Sequence, residues 1–160
     1  MNILGVDIGY DRCGFAIIDY ESNLLIDSGM ILTDKSLPFS KRLRILREDM
    51  ITINKKYYPK AICIEKLFFY RKNKTFEKIC MSKGIVLELF SDISIQEVEP
   101  LKVKKEITGI GNASKEDMRE ILSQRLKTNF DKYVDDEIDA ICLGLYMSEN
   151  IKLEKLYNRT

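Results

Sequence analysis

Four carboxylates, Asp7, Glu65, Asp136 and Asp139, lie far apart along a 160-residue chain that contains no histidine. Each sits inside or beside an apolar run. A histidine base, a Ser-His-Asp triad and a histidine-ligated zinc are all excluded, because each needs an imidazole. What remains is hard-cation chemistry: clustered carboxylate oxygens holding Mg²⁺ or Mn²⁺, with the ion activating water. Such clusters serve phosphate substrates. Asp7 is the most telling of the four, since a charge in an apolar strand is costly unless paired or metal-bound. Taken singly, Glu65 reads as a strand-end surface acid and Asp136 as support for a helix dipole beside Asp135.

These acids need elements to gather them. Asn2 to Gly9 (NILGVDIG) reads as a strand, Cys13 to Tyr20 (CGFAIIDY) as a second, and Asn23 to Leu32 as a third, joined by turns in an antiparallel meander. Pro38 opens an amphipathic helix to about Tyr58, with Leu43, Leu46, Met50 and Ile53 on one face. Ala61 to Glu65 (AICIE) is continuously apolar, as a buried parallel strand should be. A helix is predicted from around Thr75 and a fifth strand over Ile93 to Val98. Pro100 starts a short helix that stops near Gly109. Ser114 caps another with Asp117 as its capping-box partner, and Asp135 caps a last helix to about Glu149.

Three hairpin-linked strands followed by crossover units predict an α/β fold, a five-stranded mixed sheet of order 3-2-1-4-5 flanked by helices. The expected organisation is a single domain over residues 1–160. Strand 1 beside strand 4 brings Asp7 and Glu65 to one edge of the sheet. Asp136 and Asp139, three apart, share a helix face.

The net charge is only +1, so its distribution matters more than its sum. From Lys66 to Lys83 six basic residues stand against one acid, Glu77, and Lys102, Lys104, Lys105 and Lys115 form a second group. Basic zones flanking an acidic pocket suit a polyanion held across a metal site; solvated helix faces are the plainer reading of any one lysine. Cys13, Cys63, Cys80 and Cys142 are scattered without a CxxC pair and read as small buried hydrophobes of a reducing cytosol. Neither a basic leader nor a run of about 18 apolar residues appears, so a cytoplasmic, membrane-free protein is expected.

Four blocks together resemble the RuvC-type Holliday junction resolvases of the ribonuclease-H-like superfamily. GVDIGYDRCGFAIID is similar to the family's first-strand G-(I/V)-D-x-G hairpin, and IEKLFF to its strand-4 motif. KKEITGIGNASKEDM is similar to its TGxGxAxK segment, and DDEIDAICLGL to its closing D-x-x-D-A helix. The blocks fall in the family's order across essentially the whole chain. Its compactness and Phe68-Phe69-Tyr70 loop look most like phage-encoded members.

The resemblance implies that Asp7, Glu65, Asp136 and Asp139 are metal ligands for two Mg²⁺ ions, with Mn²⁺ able to substitute. Asp7 would bridge the pair, ~3.5–4 Å apart. Phe68 matches an aromatic that stacks on or wedges between bases, an interaction worth about 1–3 kcal/mol per base. Phe69, Tyr70, Arg71, Lys72, Lys74 and Lys78 would contact DNA beside it. Lys104 and Lys115 match lysines near the scissile phosphate. Lys115 also stands in the first turn of its helix, where a cation is electrostatically misplaced. The loop is more aromatic and basic than many members carry.

The implied protein is a homodimer, packed through the helix near Thr75, that nicks opposed strands of four-way DNA junctions and of other branched DNA. It would leave 5′ phosphate and 3′ hydroxyl ends. The sequence carries no signal for or against a branch-migration helicase partner. Three rivals stay open: a ribonuclease-H-like nuclease acting on structured RNA, a non-catalytic junction-binding protein, and an actin-like ATPase or sugar kinase. The last needs two such domains, more than this length supplies.

Overall fold

Parity along the strands decides which side chains meet, because successive residues point to opposite faces of a sheet. In the central strand β1 (Asn2–Asp7), Leu4 and Val6 enter one apolar cluster while Ile3 enters another on the opposite face. Asp7 shares Ile3's parity. In β4 (Ala61–Glu65), Ile62 and Ile64 join Leu4 and Val6, whereas Ala61 and Cys63 join Ile3, so Glu65 falls on the same face as Asp7.

The computed structural model describes residues 1–68 and 74–157. Between the two strands named above come β2 (Arg12–Asp19), β3 (Leu25–Leu32) and α1 (Phe39–Tyr57). After β4 come α2 (Lys74–Leu89), β5 (Ser94–Val98), α3 (Pro100–Thr108), α4 (Lys115–Leu126) and α5 (Asp135–Tyr157). The sheet order is β3-β2-β1-β4-β5, as the sequence predicts. β1–β2 and β2–β3 are antiparallel; β1–β4 and β4–β5 are parallel.

One face is covered by α1 and α2, which bury Leu46, Met50, Ile53 and Val86 against it, with Phe90 just past the end of α2. The other is covered by α5, with α3 and α4 packed beyond. Every residue of α5 from Ala140 to Ser148 is buried, which explains why that stretch shows no polar stripe.

The helix ends follow their local signals. The Ser114 and Asp117 capping box forms in full, Pro100 occupies the first turn of α3, and Gly109 ends that helix at φ 78°.

Four expectations need correction. Asp135 is the first residue of α5 rather than its cap, and the helix runs on to Tyr157 instead of stopping near Glu149. Lys74, expected in the preceding loop, begins α2. Cys80 is exposed, unlike Cys13, Cys63 and Cys142. Arg42, unremarked in the α1 pattern, is buried: it ion-pairs with Asp11 and donates to the Tyr10 carbonyl at 2.8 Å. No helix among the described residues is long and apolar enough to cross a membrane.

Candidate active site

β1 and β4 both end on a carboxylate at the same edge of the sheet. The parallel register runs from Ile3 opposite Ala61 to Val6 opposite Ile64, so Asp7 and Glu65 are the next residues of two adjacent strands. The first turn of α5 crosses this edge carrying Asp136, with Asp139 one turn on.

Electrostatics shows the four acids as one cluster. Asp7 is pushed up to about 8, first by burial, then by the negative charges of Glu65, Asp139 and Asp136, against a smaller opposing pull from Lys115. Glu65 is also raised, by burial and then by Asp139, with Lys115 and Lys104 pulling the other way. Two cations temper the cluster. Arg12 ion-pairs with Asp136 at 2.8 Å, and the Lys115 ammonium with Asp139. Burial lowers Lys115, but its hydrogen bond to Asp139 and the charges of Asp139, Asp135 and Asp7 outweigh that and hold it above the usual lysine range.

Among the described residues no three acidic side chains stand close enough to form a finished metal cage. Asp136 and Asp139 are instead turned toward Arg12 and Lys115. The residues nonetheless fit a hard divalent cation. The donors are all carboxylate oxygens, and two cations do not neutralise four acids. Asp136 Oδ2 is buried and, despite the nearby Arg12 guanidinium, meets no donor in hydrogen-bond geometry. The metal-free cluster therefore keeps a proton on Asp7 near neutral pH, which a divalent ion would displace.

Glu65, Lys104, Lys115, Asp139 and Met118 line an open cleft of about 140 Å³ over this edge. Lys104 is thus one of two lysines on the wall of this cleft. Beyond Glu65 and Pro100, which both cavities share, lies a broader and mainly apolar hollow bounded by Lys66, Phe68, Glu99 and Leu101. Phe68 is 39% exposed and Leu101 67%, and the Lys66 ammonium lies 5.7 Å from the Phe68 ring centre. An exposed phenyl ring thus stands beside the acidic cleft, and exposed aromatic faces suit stacking with flat apolar groups.

Other expected contacts divide. Lys74 is exposed at the start of α2. Lys78 is partly buried, its ammonium 5.0 Å from the Tyr10 ring and 5.5 Å from the Phe39 ring. Phe69, Tyr70, Arg71 and Lys72 lie outside the described residues. Sequence reading passed over Arg12; the signal was available, as a cation in the hairpin that follows Asp7.

Residues 3–146 match the family model described as Crossover junction endodeoxyribonuclease RuvC. The protein of that name from Thermosipho melanesiensis is 33% identical over 148 residues, covering 90% of this chain and 94% of its own. The one from Brachyspira hyodysenteriae is 34% identical over 149 residues, covering 91% and 92%. Among solved structures, Thermus thermophilus RuvC superposes with a TM-score of 0.85 at 21% identity, covering 96% of this chain and 97% of that one. The same protein in complex with a Holliday junction substrate gives 0.87, also at 21%, covering 96% of each. These structural likenesses speak for the fold. The sequence agreement runs from the first strand into the last helix, and on that ground this chain belongs to the RuvC family of crossover junction endodeoxyribonucleases.

Proposed function

We propose that this protein is a divalent-metal-dependent endodeoxyribonuclease that resolves four-way DNA junctions in the cytoplasm by nicking opposed strands. The observation that carries the reading is the convergence of Asp7, Glu65, Asp136 and Asp139 on one sheet edge, where burial first and the neighbouring negative charges second push Asp7 up to about 8. The family assignment favours DNA over structured RNA as substrate. The retained carboxylate set favours catalysis over binding alone.

Asp7, Glu65, Asp136 and Asp139 would hold Mg²⁺, two ions with Asp7 shared, and Mn²⁺ would serve in its place. Bound there, the metal supplies a water nucleophile at neutral pH and neutralises charge on the leaving 3′ oxygen. The protein's own groups do the rest. Lys115 and Lys104 line the cleft beside Glu65 and Asp139, where their charge attracts the scissile phosphate and offsets the negative charge that builds up during displacement. Phe68 offers its ring to an unpaired base at the junction centre, and Lys66 and Lys74, which precede and follow residues 69–73 in the chain, meet the flanking backbone. A second copy of the chain would present a second site, so that two opposed strands are cut symmetrically to give 5′ phosphate and 3′ hydroxyl ends. α2 is the helix on which we place that contact; it exposes Met81.

Incubating the protein with Mg²⁺ and a mobile four-way junction, beside a fork, a linear duplex and an RNA hybrid, tests this directly. Paired nicks in the junction are expected, with the duplex and hybrid left intact. Cleavage of the hybrid in preference to the junction would reverse the substrate assignment.

A further inference from the structure

Lys83 belongs to the basic stretch that begins at Lys66, yet it is buried beneath α2. A buried ammonium is costly unless charge and hydrogen bonds compensate it, so its partners identify its task. Nζ donates to the backbone carbonyl of Glu65 at 3.2 Å and ion-pairs with Glu97 of β5. The β1–β4 register stops at Val6 opposite Ile64, so the backbone of Glu65 lies just beyond that ladder. On the other side Glu65 still pairs with Val98 of β5, whose carbonyl accepts from the Lys66 N–H at 2.8 Å, and the ammonium adds a second hold at that point. Glu97, in register with Ile64, reaches Lys83 from the α2 face, while the Glu65 side chain turns to the other face and enters the carboxylate cluster. The tether therefore grips the backbone of the residue whose carboxylate the site requires. One to two turns earlier on the same helix, Lys78 lies over the ring of Tyr10, three residues past Asp7. α2 thus contacts the end of β4 directly and, through Tyr10, the turn that follows β1.

We propose that Lys83 is a positioning residue of the metal site: through its hold on the Glu65 carbonyl it sets the Glu65 carboxylate against Asp7. This rests on the metal-dependent reading above. Lys83 lies outside the lining of the cleft. Removing it leaves the four carboxylates and the β5 pairing in place but loosens the Glu65 end of β4 on its β1 side, which weakens the site without abolishing DNA binding.

The test uses the whole chain with Lys83→Met, Lys83→Arg and Glu97→Gln. Four quantities are read: Mn²⁺ binding by the spin-resonance signal of free Mn²⁺, the Mg²⁺ concentration at half-maximal junction cleavage, junction affinity in EDTA, and Tm. For Lys83→Met the Mn²⁺ Kd and the Mg²⁺ half-saturation should both rise about tenfold, the low end of what outer-shell partners of metal ligands are worth. Junction affinity in EDTA should stay unchanged. Lys83→Arg keeps a charged donor and should recover most of the loss, and Glu97→Gln, which keeps the ammonium, should lose less than Lys83→Met. Should Lys83→Met fail to fold, Glu97→Gln decides by the same two metal readouts. A fall in Tm with Mn²⁺ Kd and Mg²⁺ half-saturation unmoved overturns the proposal and leaves Lys83 a purely structural cation. Failure of the unsubstituted protein to bind Mn²⁺ at all is a different result, and it sinks the metal reading along with the proposal.

Discussion

The backbone of Gly14 lies so close to that of Asp136 that a Cβ on Gly14 would stand 2.0 Å from the Asp136 carbonyl oxygen. Gly14 is the residue paired with Asp7 across the β1–β2 ladder. The same intimacy recurs one layer in, where a Cβ on Gly5 would meet the Ala140 carbonyl oxygen at 2.0 Å and the Gly144 nitrogen at 2.6 Å. Helix α5 therefore rests on bare backbone at two points, and this close seat brings the acids of its first turns onto the edge where Asp7 and Glu65 end. The glycines are part of the site's geometry although they carry no chemistry.

Gly14→Ala should consequently damage both stability and cleavage. Overpacking costs typically about 1–3 kcal/mol, and each kcal/mol moves Tm by about 2–4 °C in a domain of this size. The contact is with backbone, which cannot rotate aside, so α5 must lift. The check is to compare thermal melting with junction cleavage for Gly14→Ala and for Gly84→Ala, whose added Cβ meets nothing within 4 Å. Equal losses in the two variants would remove the geometric role assigned to Gly14.

Asp7 makes the metal-free protein sensitive to pH, and the sign is fixed by its raised carboxyl. A group held at about 8 in the folded chain, against an ordinary value of 3.8, prefers to be protonated in the fold. Its contribution to stability is complete below pH 3.8 and is lost as pH rises through 8. In EDTA, Asp7→Asn should therefore raise Tm at pH 8 by more than it does at pH 5, and Mg²⁺ should erase that difference for the unsubstituted protein. A larger gain at pH 5 would mean that Asp7 is not in a negative, buried setting.

Phe68→Ala should leave junction binding largely intact while slowing cleavage. Loss of one base stack costs about 1–3 kcal/mol, and a ring that opens the junction makes much of its contribution only in the opened state. Fluorescence of a base analogue at the junction centre separates opening from binding. Unchanged cleavage and unchanged opening would return Phe68 to a packing role beside Leu101.

Lys115→Met removes a charge that lowers both Asp7 and Glu65. Protons should then compete more strongly for the site, so the pH at which Mn²⁺ binding is half-complete should rise. Cleavage should fall by about 100-fold or more, the scale at which a preorganised electrostatic donor contributes to rate. Binding measured by titration from pH 5 to 9 checks the first point independently of the second. An unmoved midpoint would place Lys115 outside the cluster.

Much of this site was legible in the sequence because its signals were local. An acid closing the apolar run of β1 and another closing AICIE are visible without a fold, and strand parity then puts both on one face. The D-x-x-D spacing likewise gave Asp136 and Asp139 a shared helix face. What stayed hidden depends on contacts between distant segments. Lys83 looked like a surface cation because nothing nearby in sequence shows that Glu97 and the Glu65 carbonyl would meet it. Arg42 escaped notice for the same reason, its partners Asp11, Tyr10 and Thr33 lying on another element. The end of α5 was placed near Glu149 although neither glycine nor proline follows before Tyr157, so no local stop signal supported that boundary.

The central claim, that four distant carboxylates form one divalent-ion site that cuts junction DNA, is tested most directly by Asp7→Asn. Mn²⁺ binding and Mg²⁺-dependent junction cleavage should both be lost, while junction affinity in EDTA stays within about twofold, or ~0.4 kcal/mol. Junction cleavage that persists in Asp7→Asn at the rate of the unsubstituted protein would contradict it.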